Sequence, residues 1–137
     1  MITIVNGIII KNNKFLTVKR GVEPWQGMYG LPGGHVEDNE EKVEALKREI
    51  KEEIGLEVEV NESDFVGTAK LEWQSKIFEI GFYKVKIVGG KEKLQKEEVE
   101  EIKYFTLNEF VKNLKEYNLS PKEVEGISNV LLLADCY

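Results

Sequence analysis

The sequence predicts a mixed α/β (α+β) fold, in one domain over residues 1–137. Three observations predict it. Ile2 to Ile10 is an apolar, β-branched run that reads as a strand. A charged stretch ending at Gly55 repeats its apolar residues with helical spacing. Strand patterns after Gly55 then give way to two further helical segments, without regular strand–helix alternation.

In chain order, Ile2–Ile10 is followed by a turn at Lys11-Asn12-Asn13-Lys14, and Phe15 to Lys19 returns as the second strand of a hairpin. Arg20 closes that strand. Gly21 to Tyr29, with Pro24, Trp25 and Gly27, reads as a loop. Gly30 to Pro32 is a short extended piece leading into Gly33-Gly34, where a glycine pair lets backbone approach an ion or phosphate closely. Asp38 and Glu41 have the spacing of a capping box that starts the next helix, and Gly55 stands where a left-handed C-cap belongs. Beyond it, Glu57–Val60 alternates as a strand, Asn61–Asp64 turns, and Phe65–Leu71 is a strand. Trp73 to Ser75 interrupts, and Ile77 to Val88 reads as one long strand. Gly89-Gly90 opens a loop reaching about Glu100, and Tyr104-Phe105 lies on the last strand. Thr106-Leu107 opens a helix through Glu109, Phe110 and Leu114. Pro121 starts the final helix, with Val124, Ile127, Val130 and Leu131 as its buried stripe.

A chain of 137 residues can bury a core without disulfides or metal staples. No apolar run is long enough to span a bilayer and no secretory signal is visible at the start, so the expected setting is cytoplasmic with no membrane partner. Cys136 is the single cysteine, which allows no internal disulfide and suits a reducing compartment. A net charge of −6 argues against general nucleic-acid binding. An acidic chain can still take a polyanionic substrate when a divalent ion bridges carboxylates to phosphate oxygens. Only two of the 19 basic residues are arginines, Arg20 and Arg48, which directs attention to both as planar, bidentate forks.

The charged helix carries the chemistry. At roughly 100° per residue, Val43, Leu46, Ile50 and Ile54 share a core-facing arc, and Glu49, Glu52 and Glu53 share a neighbouring one. Lys47 and Lys51 lie on the far flank. Carboxylates at that spacing repel one another, and concentrated carboxylate oxygen is what a hard divalent cation requires. The residues alone leave two readings open, a solvated acidic face or a magnesium site.

Gly34, five residues, Glu40, seven residues, then Arg48-Glu49-Ile50-Lys51-Glu52-Glu53-Ile54-Gly55-Leu56 resembles the signature of the Nudix hydrolases, with Leu31-Pro32-Gly33 as its usual lead-in. The resemblance implies a mixed sheet sandwiched between helices, an α/β/α layering. It implies cleavage of the diphosphate of a nucleoside diphosphate linked to another moiety, by water attack on phosphorus with magnesium, or manganese in its place, as cofactor. It further implies Glu49, Glu52 and Glu53 as metal ligands together with the carbonyl of Gly33. Arg48 pairs with Glu52 one turn on and orients a metal-bound carboxylate, or is an ordinary surface pair. Glu40 stabilises the loop and helix start. The proton acceptor is Glu52, with Glu98 as the second candidate among the crowded Glu97, Glu98, Glu100 and Glu101. Arg20 is either a substrate-phosphate contact or a surface charge. Trp25 and Trp73 (with Tyr29 and Phe78) stack on a base or belong to the core. His35, at a position the signature leaves free, reads as structural or incidental.

The expected substrate is a small nucleotide, a nucleoside triphosphate or a nucleotide sugar. ADP-ribose and the 5′ end of RNA are the alternatives, and a non-catalytic nucleotide sensor is the alternative from another class. Nudix proteins are often dimers, so a homodimer stays open.

Overall fold

The computed structural model of the chain describes residues 1–22, 25–117 and 119–133; Pro24 and Cys136 lie outside them. Among the described residues, ten strands and three α-helices follow one another as β1 (Ile2–Ile8), β2 (Ile10–Lys11), β3 (Lys14–Arg20), β4 (Tyr29–Gly30), β5 (Gly33–His35), α1 (Lys42–Ile54), β6 (Leu56–Glu59), β7 (Phe65–Trp73), β8 (Lys76–Lys84), β9 (Lys86–Gly90), β10 (Val99–Phe105), α2 (Leu107–Leu114) and α3 (Pro121–Leu133).

The central sheet runs β5-β1-β8-β7, with β1 parallel to β8 and the other pairs antiparallel. A second sheet runs β10-β3-β2 with β4 also on β3, and β6 pairs with β9. Helix α1 packs on β1, β5 and β6, while α3 packs on β7 and α2 on α3 and β10. Strand alternation therefore feeds two apolar cores. Val5, Leu16, Val18 and Tyr83 join Leu46, Ile50 and Ile54 of α1 on one side. Ile8, Phe15, Phe78, Ile80 and Phe82 meet Phe110, Ile127 and Leu131 on the other. Fully burying each large aliphatic side chain of the α1 stripe contributes about 1.5–3 kcal/mol, so the helix is held by packing rather than by propensity.

Several expected elements are corrected. The run Ile2–Ile10 is two strands, because the chain leaves the central sheet at Ile9 and re-pairs Ile10 with Phe15 in the second. Its hairpin turn places Asn12 and Asn13 at φ 53° and 62°, a left-handed pair that asparagine tolerates. The run Ile77–Val88 also divides. Once β1 has turned away, Val85 makes the last bond to Ile8, and the following residues pair with β6. Gly89-Gly90 belongs to β9, and the last strand begins at Val99. The capping box from Asp38 to Glu41 does not form: α1 starts at Lys42 with no side-chain cap. Asn39 at φ 65° ends the preceding turn in a left-handed conformation that a helix cannot include. Gly55 does close α1 at φ 77°. Thr106 caps α2 reciprocally with Glu109, and Ser120 does the same with Glu123 ahead of α3.

Candidate active site

The site forms where α1 lies along the outer edge of β5. Gly7 N–H bonds to Pro32 O and Val36 N–H to Thr3 O, so by antiparallel alternation Gly33 and His35 turn their backbone groups away from β1. Side chains of α1 meet that edge. Gly33 N–H donates to Glu53 Oε1 at 2.9 Å, and Arg48 Nη2 donates to His35 O at 3.2 Å. The Gly33 carbonyl faces the same side as the N–H that Glu53 accepts.

Neither glycine of the pair leaves space for a side chain. A Cβ on Gly34 would stand 2.6 Å from Glu49 Oε2. A Cβ on Gly33 would collide with the Val5 backbone carbonyl and stand 2.6 Å from Asn6 Oδ1, and the φ of 152° at Gly33 is itself unsuited to a side chain.

Arg48 is the hub of the helix start. Its Nε and Nη2 donate to Glu40 Oε2 and Oε1 at 2.8 and 2.9 Å, and its Nη1 donates to Glu49 Oε1 at 3.0 Å. Glu40 also accepts Glu37 N–H at 3.0 Å, closing the turn before α1. The Arg48 fork therefore holds Glu40 in bidentate fashion, and the contact to Glu52, at 3.4 Å, is its longest arm to a helix carboxylate. The guanidinium keeps the Glu40 carboxyl down at about pKa 2, and the Glu40 hydrogen bonds raise that of Arg48.

A cavity of about 350 Å³ opens beside this edge, and Arg20, Gly33, Glu49, Glu53 and Glu98 form its polar end. Pairing of β3 with β10 brings Arg20 and Glu98 together, since Gly21 N–H donates to Glu98 O at 2.7 Å. Glu98 is tied to α1 as well, because Gln95 N–H bonds to Glu53 O and Glu98 N–H to Gln95 O. Glu53 is 7% exposed. Burial raises its pKa to about 8; the Gly33 N–H opposes the rise, and Glu49 and Glu98 add to it. Glu49 is also raised, chiefly by burial.

Across β1 from the β5 edge, in the sheet order β5-β1-β8-β7, the walls are apolar, with Phe78 and Ile80 of β8 and Leu71 of β7, and Phe110 of α2 also lines the cavity. Trp25 lines it and packs against Trp73, Phe78 and Tyr117 with ring centroids 5.2–5.9 Å apart. Trp73 stands behind Trp25 rather than on the wall, and Tyr29 turns to Phe105 and Glu101 instead. Glu52 stays outside the cavity with its side chain 56% exposed. Glu100 and Glu101 are strand residues engaged with Lys19 and Tyr29.

Of the polar wall residues, Asn6 has no place in the sequence reading, and His35, expected to be structural or incidental, also lines the cavity. For Asn6 the available signal was one carboxamide inside an apolar strand; for His35, its place one residue beyond the glycine pair.

The NUDIX domain model matches residues 1–125. The chain belongs to the Nudix family. Among relatives, the ADP-ribose pyrophosphatase of Methanocaldococcus jannaschii is 56% identical over 52 residues, 38% of this chain and 31% of that protein. The CTP pyrophosphohydrolase of Escherichia coli is 40% identical over 63 residues, 45% of this chain and 47% of its own length. The matched segment thus spans less than half of these curated relatives. Among solved structures, the Escherichia coli ORF135 protein superposes with a TM-score of 0.72 at 26% identity, covering 98% of this chain and 92% of that one. The Nudix signature in this chain is the segment that builds the α1–β5 edge, from Gly34 against Glu49 to Gly55 at the helix end.

The donor set suits a hard divalent cation: the Glu49 and Glu53 carboxylates and the Gly33 carbonyl are oxygens only, at a point where carboxylates crowd one another. Among the described residues no three acidic, histidine or cysteine side chains stand close enough to enclose an ion. The fit therefore rests on two carboxylates and a backbone oxygen, the groups that would hold the ion.

Proposed function

We propose that this Nudix protein is a magnesium-dependent pyrophosphohydrolase that cleaves a small nucleotide, a nucleoside triphosphate or a nucleotide sugar, by water attack on phosphorus. The observation that carries the reading is Glu53, a carboxylate buried beside Glu49 and Glu98 at the polar end of a cavity whose other end is apolar and aromatic. Such an arrangement costs stability unless a cation is bound, and it separates a place for phosphates from a place for a base.

Bound there, magnesium supplies charge neutralisation for the phosphate oxygens and acidifies water. The chain's own residues do the rest. Gly33 N–H fixes the Glu53 carboxylate in one orientation, and Arg48 fixes Glu49. Arg20 faces the polar end and is our candidate phosphate contact. Of the two candidate proton acceptors, Glu98 lines the cavity and Glu52 does not. We therefore assign the attacking water's proton to Glu98 and leave Glu52 a role at the rim. Trp25 closes the apolar end and Trp73 buttresses it.

We place this reaction in the cytoplasm, in a single domain. Among the described residues no helix is long and apolar enough to cross a membrane.

The test is turnover of a panel of nucleoside triphosphates, nucleotide sugars and ADP-ribose with magnesium, with products identified by mass. Release of a nucleoside monophosphate is the expected result, and the parent compound names the substrate. No cleavage of any member, with nucleotide still bound, would replace this reading with the sensor.

A further inference from the structure

Ile2, Ile4, Asn6 and Ile8 alternate onto one face of β1. Ile8 belongs to the core on that side, and Ile2 and Ile4 pack against it. Asn6 interrupts the row. A fourth isoleucine would suit both strand propensity and the apolar face better, so the carboxamide is a local departure from what the fold asks for. It has no structural employment either: among the described residues its side chain makes no hydrogen bond, while it lines the cavity.

Its position is specific. On one side Asn6 pairs with Gly33, the residue whose N–H holds Glu53. On the other it pairs with Phe82, which belongs to the apolar end. A side chain at residue 33 would run into the Val5 carbonyl first and then into Asn6 Oδ1, so the carboxamide lies directly against Gly33. The amide therefore stands at the boundary between the acidic end of the cavity and its apolar end.

We propose that Asn6 is a substrate-contacting specificity residue that reads the nucleoside sugar and the phosphate of the cleaved diphosphate that it carries. The inference rests on the nucleotide reading above and deepens it. A nucleotide with its base in the apolar end and its diphosphate at Glu49 and Glu53 must pass its sugar, and the sugar-bound end of that diphosphate, across Asn6. A carboxamide offers donors to a phosphate oxygen and an acceptor to a sugar hydroxyl. It does so without charge, where an aspartate would repel both the phosphate and the neighbouring glutamates.

The experiment uses products, which do not turn over. Binding of AMP, CMP, GMP and UMP to the full chain is measured by calorimetry, and the tightest of the four is carried forward. Asn6→Ala is expected to weaken it about ten-fold, the scale of a hydrogen bond to a charged group. Asn6→Asp is expected to weaken it about a hundred-fold. Thermal unfolding provides the second readout: Asn6→Val should melt no lower than the wild type, since it completes the isoleucine row. Asn6→Ala binding as tightly as the wild type overturns the proposal while leaving the hydrolase reading intact. So does a clear loss of Tm in both Asn6→Ala and Asn6→Val, which would make the amide a structural group. A wild type that binds none of the four and hydrolyses nothing in the panel overturns both.

Discussion

Arg48 grips Glu40 with two parallel hydrogen bonds, 2.8 and 2.9 Å long, across eight residues and the start of α1. A third donor of the same fork reaches Glu49. One side chain thus ties the turn before the helix to a carboxylate of the site. Lysine, a point charge with no fork, cannot hold both. Arg48→Lys should lower kcat by about 10–100-fold with a smaller change in KM, the range for groups that orient metal-binding carboxylates. Steady-state kinetics beside far-UV circular dichroism will check this.

The same pair has a pH signature. Glu40 titrates at about 2 when folded, against an ordinary 4.5. A depressed carboxyl contributes stability above pH 4.5, and the contribution is lost as pH falls through about 2. The Tm difference between wild type and Glu40→Gln should therefore be full at pH 6 and shrink as the solution approaches pH 2. A constant difference would mean the pair does not act through charge.

Glu53 carries the opposite sign. Its folded pKa, about 8, lies above the ordinary 4.5, so the native chain holds a proton that the unfolded chain releases between those values. With a chelator present, Tm should fall as pH rises from about 4.5 to 8. Glu53→Gln keeps an acceptor for Gly33 N–H without the charge, so it should flatten this slope and melt higher than the wild type at pH 8. Parallel pH profiles for the two proteins would contradict the assignment.

In the assay the same substitution should be disabling. Glu53→Gln is expected to lose at least about 3 kcal/mol of transition-state stabilisation while the fold survives. A strong chelator should abolish wild-type turnover, and magnesium should restore it. Comparing Glu98→Gln with Glu52→Gln separates the two candidate proton acceptors. The larger kcat loss, with flattening of the pH–rate profile, should fall on Glu98; the reverse order would return the role to Glu52.

Gly34→Ala places a methyl group against the Glu49 carboxylate. The carboxylate must move, so activity should fall by about ten-fold or more while the Tm shifts by only a few degrees, because Glu49 is not part of the apolar core. Activity retained in this variant would show that Glu49 tolerates displacement.

Local periodicity accounts for what was legible in the residues. The repeat of an α-helix sets Glu49 one turn from Glu53 and aligns Leu46, Ile50 and Ile54, whatever the rest of the chain does. Gly55 as C-cap and the caps of α2 and α3 are local in the same sense. Strand boundaries were not legible at Ile9 or Val85, because an apolar β-branched run looks the same whether it stays in one sheet or passes to another. By itself the sequence determined the family signature, the acidic helix and the two faces of that helix. Only the tertiary structure decided that Glu98 stands with Arg20 through the β3–β10 pairing, that Glu52 stays outside the cavity, and that Asn6 lies over Gly33. Those neighbours are distant in the chain, and which strand pairs with which follows from how the whole molecule buries its apolar surface, a quantity no short window of sequence contains.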